Sequence, residues 1–395
     1  MVLGSALTNL TRVDSRTGLP VVGMVGAGQL ARMTHQAAIP LGQSLRVLAQ
    51  SPDDGAASVA ADVMIGEHTS YDDLLAFAAG CDVLTFDHEH VPTELIRSLA
   101  TAGHVVYPGA HALEHAQDKA VMRQALTRAG VPCPAWRSVS TVDDVAAFGA
   151  EHGWPVVLKV ARGGYDGRGV WTLTESAAAA HVLEPDRAYI VEQRVPILRE
   201  LAVLVARSPY GQVSVWPIVQ TVQRDGICVE VIAPAPDLAA ELAGVGATLA
   251  VRLAAELGVV GVMAVELFET ADGLLVNELA MRPHNSGHWT IEGSRTSQFE
   301  QHLRAVLDYP LGTTTMTAPW VVMTNLLGGP DGGMGIDERV HHAMAQWPDV
   351  KLHLYGKSPR PGRKLGHVTS LGSDLAEVRA RAGAAAAYLH QGGHR

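Results

Sequence analysis

The amino-acid sequence predicts a mixed protein, with an α/β part at the N-terminus followed by α+β parts. Two observations lead to this prediction: short apolar runs alternate with helix-like segments up to about residue 118, and glycine-punctuated β patterns prevail after it. The length of 395 residues agrees, because a single hydrophobic core rarely serves a chain this long. We therefore expect two to four domains or subdomains.

Composition argues against several classes of protein. The chain is 47% hydrophobic, yet it has no apolar run near the roughly 18 residues that a membrane-spanning helix needs. Its net charge of -10 gives no support for nucleic-acid binding, so an anionic ligand requires a local basic site. Three widely spaced cysteines suggest a reducing cytoplasm, and residues 1–20 form an N-terminal extension without the pattern of a secretion signal.

The first predicted domain spans residues 21–118. LPVVGMVGAG is typical of a buried strand, QLARMTHQAAIPLG of a helix, and SLRVLAQ, DVLTF and HVVYPG of further short strands in a parallel sheet. The turn from Gly26 to Ala31 fits a loose G-x-G-x-x-A pattern, in which glycines let the backbone approach an anion. A tight turn without a ligand, a dinucleotide site for hydride transfer, and a site for another phosphate or small ligand all remain open.

A lysine and a glycine-rich turn mark the next region. STVDDVAAFGAEHG predicts a helix with Ser140 or Thr141 at its N-cap and Gly153 at its end. In WPVVLKVARGGYDGRGVWTL, two β runs flank the glycines, and Lys159 ends the first run. Burying an ammonium group is costly unless an anion meets it, and glycines let backbone N–H groups surround phosphates. A flexible hairpin loop with an extended lysine is the alternative.

The following strands carry polar residues at their ends. AYIVEQRV ends near Glu192 and Gln193, a pair suited to recognising adenine at a strand edge, although solvent-facing polar residues are common there. Glu200 leads into the strand of LRELAVLVARS and is a candidate for binding ribose hydroxyls. PDLAAELAGVGATLAVRLAAELG predicts a helix that serves as scaffold.

Two glutamates form the strongest physical signal. Glu266 and Glu278 lie on apolar β runs joined at Asp272-Gly273, a favoured hairpin dipeptide, so the hairpin places them opposite each other. Facing carboxylates repel unless a cation lies between them, and Mg²⁺ commonly binds one or two carboxylates together with phosphate oxygens. The pair therefore predicts a magnesium site, with outward-facing, solvated glutamates as the alternative.

The order of these motifs resembles that of the ATP-grasp superfamily. The motifs are Lys119, Lys159, GGYDGRG at 163–169, EQRV at 192–195, Glu200, the glutamate pair, NELAMRPHNSGHWT at 277–290 and RPGRKLGH at 360–367. Within the superfamily, GGYDGRG, RPHNSGHWT and PGRKLGH together resemble the 5-(carboxyamino)imidazole ribonucleotide synthase family. The resemblance covers about residues 20–390.

The resemblance implies an ATP-dependent carboxylation. The family joins bicarbonate to the exocyclic amine of 5-aminoimidazole ribonucleotide in purine biosynthesis, through carboxyphosphate, and releases ADP and phosphate. It implies ATP and Mg²⁺ as cofactors, with two ions possible, small-molecule substrates, and a cytoplasmic homodimer without nucleic-acid or membrane partners. The implied fold has a Rossmann-like pre-ATP-grasp domain, an ATP-grasp domain of two subdomains at residues 119–310, and a small β-rich C-terminal domain at residues 311–395.

The resemblance also implies the residues of the ATP half of the site. Arg282, Asp166 and Lys159 are the implied catalytic residues, and Arg282 would stabilise carboxyphosphate. Glu266 and Glu278 are the implied metal ligands. The implied nucleotide-binding residues are Lys119, Lys159, Gly164, Tyr165, Asp166, Gly167, Arg168, Gly169, Val170, Glu192, Gln193, Arg194, Val195, Glu200, Gln223, Asn277 and Glu278.

A second set is implied for the acceptor nucleotide. Its members are Gly28, Gln29, Leu30, Tyr165, Arg168, His284, Asn285, Ser286, Lys357, Arg363 and Lys364. The basic run YGKSPRPGRKLGH is a candidate clamp for the ribonucleotide phosphate in a chain of negative net charge. A solvated basic turn is the alternative.

The sequence departs from the family pattern at two places. TFDHEHVP has His88 and His90 where the family carries aromatic and amide residues, while Asp87 and Glu89 keep the acidity. The two histidines and two carboxylates are compatible with a metal site, but alternation along a strand end sends neighbours to opposite faces. Gln223 stands where relatives tend to have a nucleotide-contacting histidine, and its amide can still form hydrogen bonds.

Two rival functions remain open at this stage. Another ATP-grasp ligase, such as a formate-using or biotin-carboxylating relative, should lack PHNSGHWT and the late PGRKLGH. Loss of Lys159, Glu266, Glu278 or Arg282 would favour a non-catalytic nucleotide-binding protein. All four residues are present, so the sequence gives that alternative no support.

Overall fold

The N-terminal region forms a parallel sheet in the order β3-β2-β1-β4. The structure, a computed structural model, describes residues 14, 16–164, 167–328 and 333–391, so most of the N-terminal extension lies outside it. The strands are β1 (Val21–Val25), β2 (Ser44–Ala49), β3 (Asp62–Ile65) and β4 (Val83–Phe86). The helices are α1 (Gln29–Ala38), α2 (Tyr71–Ala78), α3 (Thr93–Thr101) and α4 (Ala110–Gln117), with a 3₁₀ turn at Ile39–Leu41.

The strand predicted at HVVYPG is wrong. Val106 forms only an isolated parallel bridge with Leu84. Pro108 follows closely and has no N–H group with which to extend a ladder, so the run contributes two backbone hydrogen bonds at the sheet edge and then leaves it.

The second region is a small antiparallel sheet in the order β5-β8-β6-β7. Its strands are β5 (Trp136–Val139), β6 (Val156–Val160), β7 (Val170–Leu173) and β8 (Tyr189–Gln193), preceded by α5 (Lys119–Arg128). It also contains α6 (Val142–His152) and a 3₁₀ turn at Ser176–His181. The predicted cap of α6 is confirmed: Thr141 and Asp144 form a capping box, and the helix ends at Gly153, whose φ is +84°.

The third region is a nine-stranded sheet whose main path is β14-β13-β9-β11-β12-β15-β17-β16, with β10 paired to β9. Its strands are β9 (Arg199–Arg207), β10 (Val213–Val215), β11 (Val219–Arg224), β12 (Ile227–Ala233), β13 (Gly261–Thr270), β14 (Gly273–Ala280), β15 (Trp320–Leu327), β16 (Lys351–Leu354) and β17 (Lys364–Gly372). Its helices are α7 (Ala240–Glu256), α8 (Thr290–Gly293), α9 (Gln298–Val306), α10 (Ile336–Gln346) and α11 (Leu375–Gln391), with a 3₁₀ turn at Asn285–Gly287.

This sheet crosses the predicted domain boundary between residues 310 and 311. Strand β15 of the C-terminal region pairs with β12 from Glu230↔Thr324 to Ala233↔Val321. The C-terminal strands therefore extend the sheet formed by β9–β14, and the loop between β16 and β17 reaches the same cleft as β13 and β14.

The hairpin of β13 and β14 has the predicted register. Glu266 and Glu278 are direct cross-strand partners, and a bulge follows between Glu266 and Leu267. Gly273 closes the turn with φ of +125°, a conformation that favours glycine. Among the helices of the described residues, none combines the length and the apolar composition that crossing a bilayer requires.

Candidate active site

A large cleft lies among the three sheets and has a volume of about 2280 Å³. A pocket for one small ligand is typically about 300–1,000 Å³, so this cleft has room for two nucleotides. The predicted site residues that line it are Gly28, Gln29, Leu30, Lys119, Lys159, Gly164, Gly167, Arg168, Val170, Glu192, Gln193, Arg194, Val195, Glu200, Gln223, Glu266, Asn277, Glu278, Arg282, His284, Asn285, Ser286, Lys357, Arg363 and Lys364. Gly169 is not among the lining residues, and Tyr165 and Asp166 lie outside the described residues.

Glu192 is the centre of a buried ionic network in the ATP half. Its carboxylate lies 2.6 Å from Lys159 Nζ and 2.7 Å from Arg123 Nε. Burial raises the pKa of Glu192, but the two cations outweigh it and hold the pKa at about 2. The carboxylate therefore faces cations and not the cleft, which revises the prediction that this side chain recognises adenine; a contact through its backbone stays a prediction.

The two opposed glutamates differ in their surroundings. Glu278 pairs with Lys119 at 3.2 Å, whereas Glu266 has the amide of Asn277 at 3.4 Å and His284 Nε2 at 3.5 Å. Burial, and then the charges of Glu278 and Glu200, raise the pKa of Glu266. Glu266 has negatively charged neighbours and little positive charge near it, so a divalent cation would neutralise the pair. Mg²⁺ prefers oxygen ligands, which the two carboxylates supply.

Gln223 interacts with the glutamate predicted to bind ribose. Its side-chain amide forms a hydrogen bond with Glu200, whose pKa burial raises and this bond lowers. Lys159 also acts on Glu200 electrostatically. The Gln223 amide thus orients the Glu200 carboxylate near Lys159.

Arg282 is held by an acidic residue of the N-terminal domain. Glu89 accepts the backbone N–H of Met281 at 2.8 Å and lies 3.4 Å from the Arg282 guanidinium. Arg282 Nη1 also donates to the carbonyl of Pro283 at 3.2 Å. The sequence predicts that Glu89 keeps the acidic character of this position. In the structure, the Glu89 carboxylate contacts Arg282, the implied catalytic arginine.

His284 faces the Glu266–Glu278 pair in a defined tautomer. The backbone N–H of Ser286 donates to His284 Nδ1 at 3.3 Å, and the Ser286 hydroxyl lies 2.9 Å from the same nitrogen. Burial, and then the charges of Arg282 and Lys364, lower the pKa of His284 to about 3, so the ring is neutral. Because Nδ1 accepts, the proton is on Nε2, which points to Glu266.

Asn285 has an internal partner. Its amide exchanges two hydrogen bonds with Asn325 of β15, at 3.2 and 2.7 Å, and is 9% exposed. The Ser286 side chain is 2% exposed and engaged with His284. Both residues therefore support the loop in this structure, and their predicted contacts with the ribonucleotide stay predictions.

The glycine turn before α1 holds an internal carboxylate. Asp87 accepts the N–H of Gly28 at 2.5 Å, and a side chain at Gly26, whose φ is +100°, would collide with Asp87 Oδ1 at 1.9 Å. Burial raises the pKa of Asp87 to about 6, although Gly28, Arg282 and Lys357 lower it. The helix N-terminus thus carries a protein carboxylate where the phosphate hypothesis would put a ligand, which favours the tight-turn interpretation.

The basic run places cations on two sides of the acceptor half. Lys357 Nζ donates to the side chain of Gln29 in the N-terminal domain. Lys364, at the start of β17, acts electrostatically on Glu266 and His284. Arg363 Nη1 donates to the carbonyl of Ser358 within the loop. The acceptor half is therefore bounded by positive charge from one loop.

Three family models match the chain in order, and the second of them covers the small antiparallel sheet together with β9–β14 of the nine-stranded sheet. They are the ribonucleotide synthetase preATP-grasp domain at residues 19–117, the ATP-grasp domain at 124–299 and the phosphoribosylaminoimidazole carboxylase C-terminal domain at 321–381. The chain is 59% identical over 379 residues to the N5-carboxyaminoimidazole ribonucleotide synthase of Mycobacterium tuberculosis, covering 94% of this chain and 88% of that protein.

Solved structures agree with the family models. The N5-carboxyaminoimidazole ribonucleotide synthetase of Thermus thermophilus is 36% identical with a TM-score of 0.84, covering 94% of this chain and 99% of that one. The Aspergillus clavatus synthase in complex with ADP and 5-aminoimidazole ribonucleotide is 29% identical with a TM-score of 0.85, covering 94% and 98%. The chain belongs to the N5-carboxyaminoimidazole ribonucleotide synthase family. It is therefore an ATP-grasp ligase, and the alternative of a non-catalytic nucleotide-binding protein is wrong.

Two buried residues of this family member were not predicted from the sequence. Arg123 donates from one face of α5 to Glu192 and to the carbonyls of Val276 and Asn277. Gln298, the first residue of α9, contacts the backbone of His284. The sequence does contain a signal for Arg123. It lies next to Met122 and three residues before Leu126, both buried, and therefore on the apolar face of α5.

Proposed function

We propose that the chain carries out the ATP-dependent carboxylation of 5-aminoimidazole ribonucleotide with bicarbonate, a step of purine biosynthesis. The observation that carries the proposal is the position of one segment, residues 277–286, along the cleft. It begins with Glu278 beside Lys119, continues to Arg282 held by Glu89, and ends at the loop of His284. One stretch of chain thus joins the nucleotide-binding half to the half with the basic loop.

In the ATP half, lysines and the glycine loop hold the polyphosphate. Lys119 and Lys159 face the carboxylates of Glu278 and Glu192, which orient their ammonium groups. Gly164, Gly167 and the residues up to Val170 present backbone N–H groups to the phosphates. Glu200, with Gln223 beside it, accepts hydrogen bonds from the ribose hydroxyls.

Glu266 and Glu278 would hold Mg²⁺, which would supply charge neutralisation for the transferring phosphoryl group. Support comes from the raised pKa of Glu266, which burial and the nearby Glu278 and Glu200 cause. Asn277 and His284 donate toward Glu266 and keep its carboxylate oriented.

The chemistry proceeds in two transfers. A bicarbonate oxygen attacks the γ-phosphorus of ATP, the bond to the β-phosphate oxygen breaks, and ADP and carboxyphosphate form. The exocyclic amine of the ribonucleotide then attacks the carboxyl carbon, the bond to the phosphate oxygen breaks, and a proton leaves the nitrogen. Arg282 stabilises carboxyphosphate with its forked donors, and most of the rate comes from positioning and charge.

The acceptor nucleotide lies between the N-terminal domain and the basic loop. Its phosphate is held by Lys357, Arg363 and Lys364, and its base approaches His284. Support comes from Lys357, which contacts Gln29, and from Lys364, whose charge acts on Glu266 and His284. Lys357 thus reaches the N-terminal domain, and Lys364 lies near Glu266 and His284.

The proposal is tested by measuring ADP release from purified protein with ATP, Mg²⁺ and bicarbonate, with and without 5-aminoimidazole ribonucleotide. We expect the ribonucleotide to stimulate ADP release and to become carboxylated. Glu278→Gln should nearly abolish turnover, while the exposed Glu151→Gln should leave it unchanged. ADP release that does not respond to the ribonucleotide would overturn the proposal.

The oligomeric state and the location are separate proposals. We infer a cytoplasmic homodimer from the family resemblance and from the three widely spaced cysteines. Light scattering on the purified protein tests the dimer, and a monomer at working concentration would contradict it.

A further inference from the structure

Gln298 is a fully buried amide beneath the acceptor loop. It begins α9, its side chain is 0% exposed, and its backbone N–H donates to Thr290 Oγ1 at 2.9 Å. The Thr290 hydroxyl in turn donates to the carbonyl of Gly287 at 2.6 Å. The backbone and hydroxyl contacts fix the start of the helix against the loop of residues 282–288.

The amide of Gln298 binds the backbone of His284 like a neighbouring strand. Gln298 Oε1 accepts the His284 N–H at 2.8 Å, and Nε2 donates to the His284 carbonyl at 2.8 Å. The second hydrogen of Nε2 points to His288 Nδ1 at 3.1 Å. Every donor and one acceptor position of the amide is therefore engaged with this loop.

Gly287 gives independent evidence of the close approach. A side chain at this position would come within 2.4 Å of Gln298 Oε1 and within 2.7 Å of Leu204. The φ of Gly287 is outside the left-handed region, so its backbone conformation does not require glycine. The close contacts do. The loop backbone therefore lies directly on the Gln298 amide.

The loop that Gln298 holds carries the groups of the acceptor half. Arg282 and His284 belong to it, and His284 Nε2 must point toward Glu266 for the arrangement described above. Because Gln298 fixes both backbone groups of His284, a shift of this amide moves the imidazole. A displacement of about 1 Å in a reacting arrangement can cost about a hundredfold in rate.

We propose that Gln298 is a positioning residue for the acceptor half. Its side-chain amide binds the backbone N–H and carbonyl of His284 and the ring of His288, and so orients His284. The inference rests on the proposed function, because it is tested by measuring kcat/KM for the ribonucleotide. Gln298 touches no substrate in this account and acts through the loop.

The same helix offers a matched control. Gln301 is also 0% exposed, accepts the N–H of Gly312 at 2.8 Å and donates to the Gly312 carbonyl at 2.8 Å. Gly312 does not line the cleft. Gln298 and Gln301 thus form the same kind of backbone clamp from neighbouring turns of one helix, and only the first holds a cleft loop.

The test compares Gln298→Glu with Gln301→Glu. A carboxylate can accept the N–H of His284 but cannot donate to its carbonyl or to His288, so the new side chain repels two acceptors unless it is protonated. We expect Gln298→Glu to lower kcat/KM for the ribonucleotide by about tenfold or more, with the KM for ATP within about twofold of wild type. The loss should shrink as the pH falls and the new carboxyl becomes protonated. Gln301→Glu should lower the midpoint of thermal unfolding without either change.

Each outcome decides the inference. If both variants change kcat/KM for the ribonucleotide equally, or if Gln298→Glu lowers only stability, Gln298 has no positioning role. If Gln298→Glu does not fold, Gln298→Met against Gln301→Met provides the same comparison with an apolar side chain of similar length. Wild-type protein that shows no response to the ribonucleotide would instead defeat the proposed function, which separates the two failures.

Discussion

Two buried polar networks hold the two halves of the cleft, and they use opposite chemistry. In the ATP half, the network is ionic: the buried carboxylate of Glu192 lies between the buried Arg123 and the partly buried Lys159. Directly beneath the loop of residues 282–288, the buried groups are neutral: the Gln298 amide contacts His288, whose ring packs 5.1 Å from another buried imidazole, that of His367.

The neutral network continues to the basic loop. Tyr355 OH lies 2.7 Å from His367 Nδ1, and these two residues bracket the loop that contains Lys357 and Lys364. Burial holds the pKa of His288 and His367 well below the usual range, and that of Tyr355 well above it. None of the three changes its charge near neutral pH.

The difference shows what each half must place. Strand β6 carries the Lys159 ammonium group at the cleft, and the buried carboxylate of Glu192 orients it. The neutral network contacts loop backbone and neighbouring rings. Amides, imidazoles and a phenol can do this without the desolvation cost of burying charge.

The largest expected effect is that of Glu192→Gln, which breaks the ionic side of the comparison. Removing the carboxylate leaves Arg123 and Lys159 buried without an anion, which should lower the free energy of unfolding by about 3–5 kcal/mol. The Glu192 pKa is about 2 in the folded chain against an ordinary value of 4.5. Its contribution is therefore complete above pH 4.5 and is lost as the pH falls toward 2.

Urea unfolding at several pH values checks this prediction. The difference in stability between wild type and Glu192→Gln should be constant near neutral pH and should narrow as the pH falls below 4.5. Glu151→Gln, which alters an exposed ion pair with Arg137, serves as control and should change stability by less than about 1 kcal/mol. An equal loss in the two variants would mean that the buried network does not stabilise the fold.

A smaller loss is expected from Arg123→Met, because Glu192 keeps Lys159 as a partner. The substitution removes the ion pair at 2.7 Å and the donors to the carbonyls of Val276 and Asn277, at 3.2 and 2.8 Å. Stability should fall by about 2–3 kcal/mol. The KM for ATP should rise, since β8 and β14 lose their common contact, while the KM for the ribonucleotide should change little. A matched Arg137→Met variant should show neither effect, and a selective rise in the ribonucleotide KM would contradict the division of the cleft.

Tyr355→Phe probes the neutral network and should have a still smaller effect. It leaves His367 Nδ1 buried without the phenol, which should cost about 1–2 kcal/mol of stability. Because neither group titrates near neutral pH, this cost should be the same from about pH 6 to 8, unlike the acid-dependent loss in the ionic network. Kinetics should show a moderate rise in the KM for the ribonucleotide and an unchanged KM for ATP. A cost that varied across this pH range would show that the network carries charge.

The sequence was most informative where the signal is local. The Glu266–Glu278 pairing followed from a hairpin dipeptide, and the start of α6 followed from a capping pattern around Thr141. Both depend on residues within one turn or one hairpin, where spacing along the chain determines distance in space.

What the sequence missed depends on contacts between distant segments. Arg123 meets Glu192 from 69 residues away, and Asp87 fills the N-terminus of α1 from 59 residues beyond Gly28. Gln298 is only 14 residues from His284, but nothing in the residue pattern shows which face of α9 is buried under the loop. Periodicity identifies an apolar face, and it does not show which backbone a polar residue on that face will meet.

The smallest expected effect, from Ser286→Ala, sharpens the assignment of the acceptor loop. The Ser286 hydroxyl lies 2.9 Å from His284 Nδ1, but the backbone N–H of the same residue already donates to that nitrogen at 3.3 Å. Loss of the hydroxyl should therefore lower stability by less than about 1 kcal/mol and leave His284 in the same tautomer. If the hydroxyl only supports His284, the KM for the ribonucleotide should stay within about twofold of wild type. A rise of about tenfold or more, with the unfolding midpoint unchanged, would mean that Ser286 turns from His284 to bind the ribonucleotide directly, and the neutral network would then include a substrate ligand.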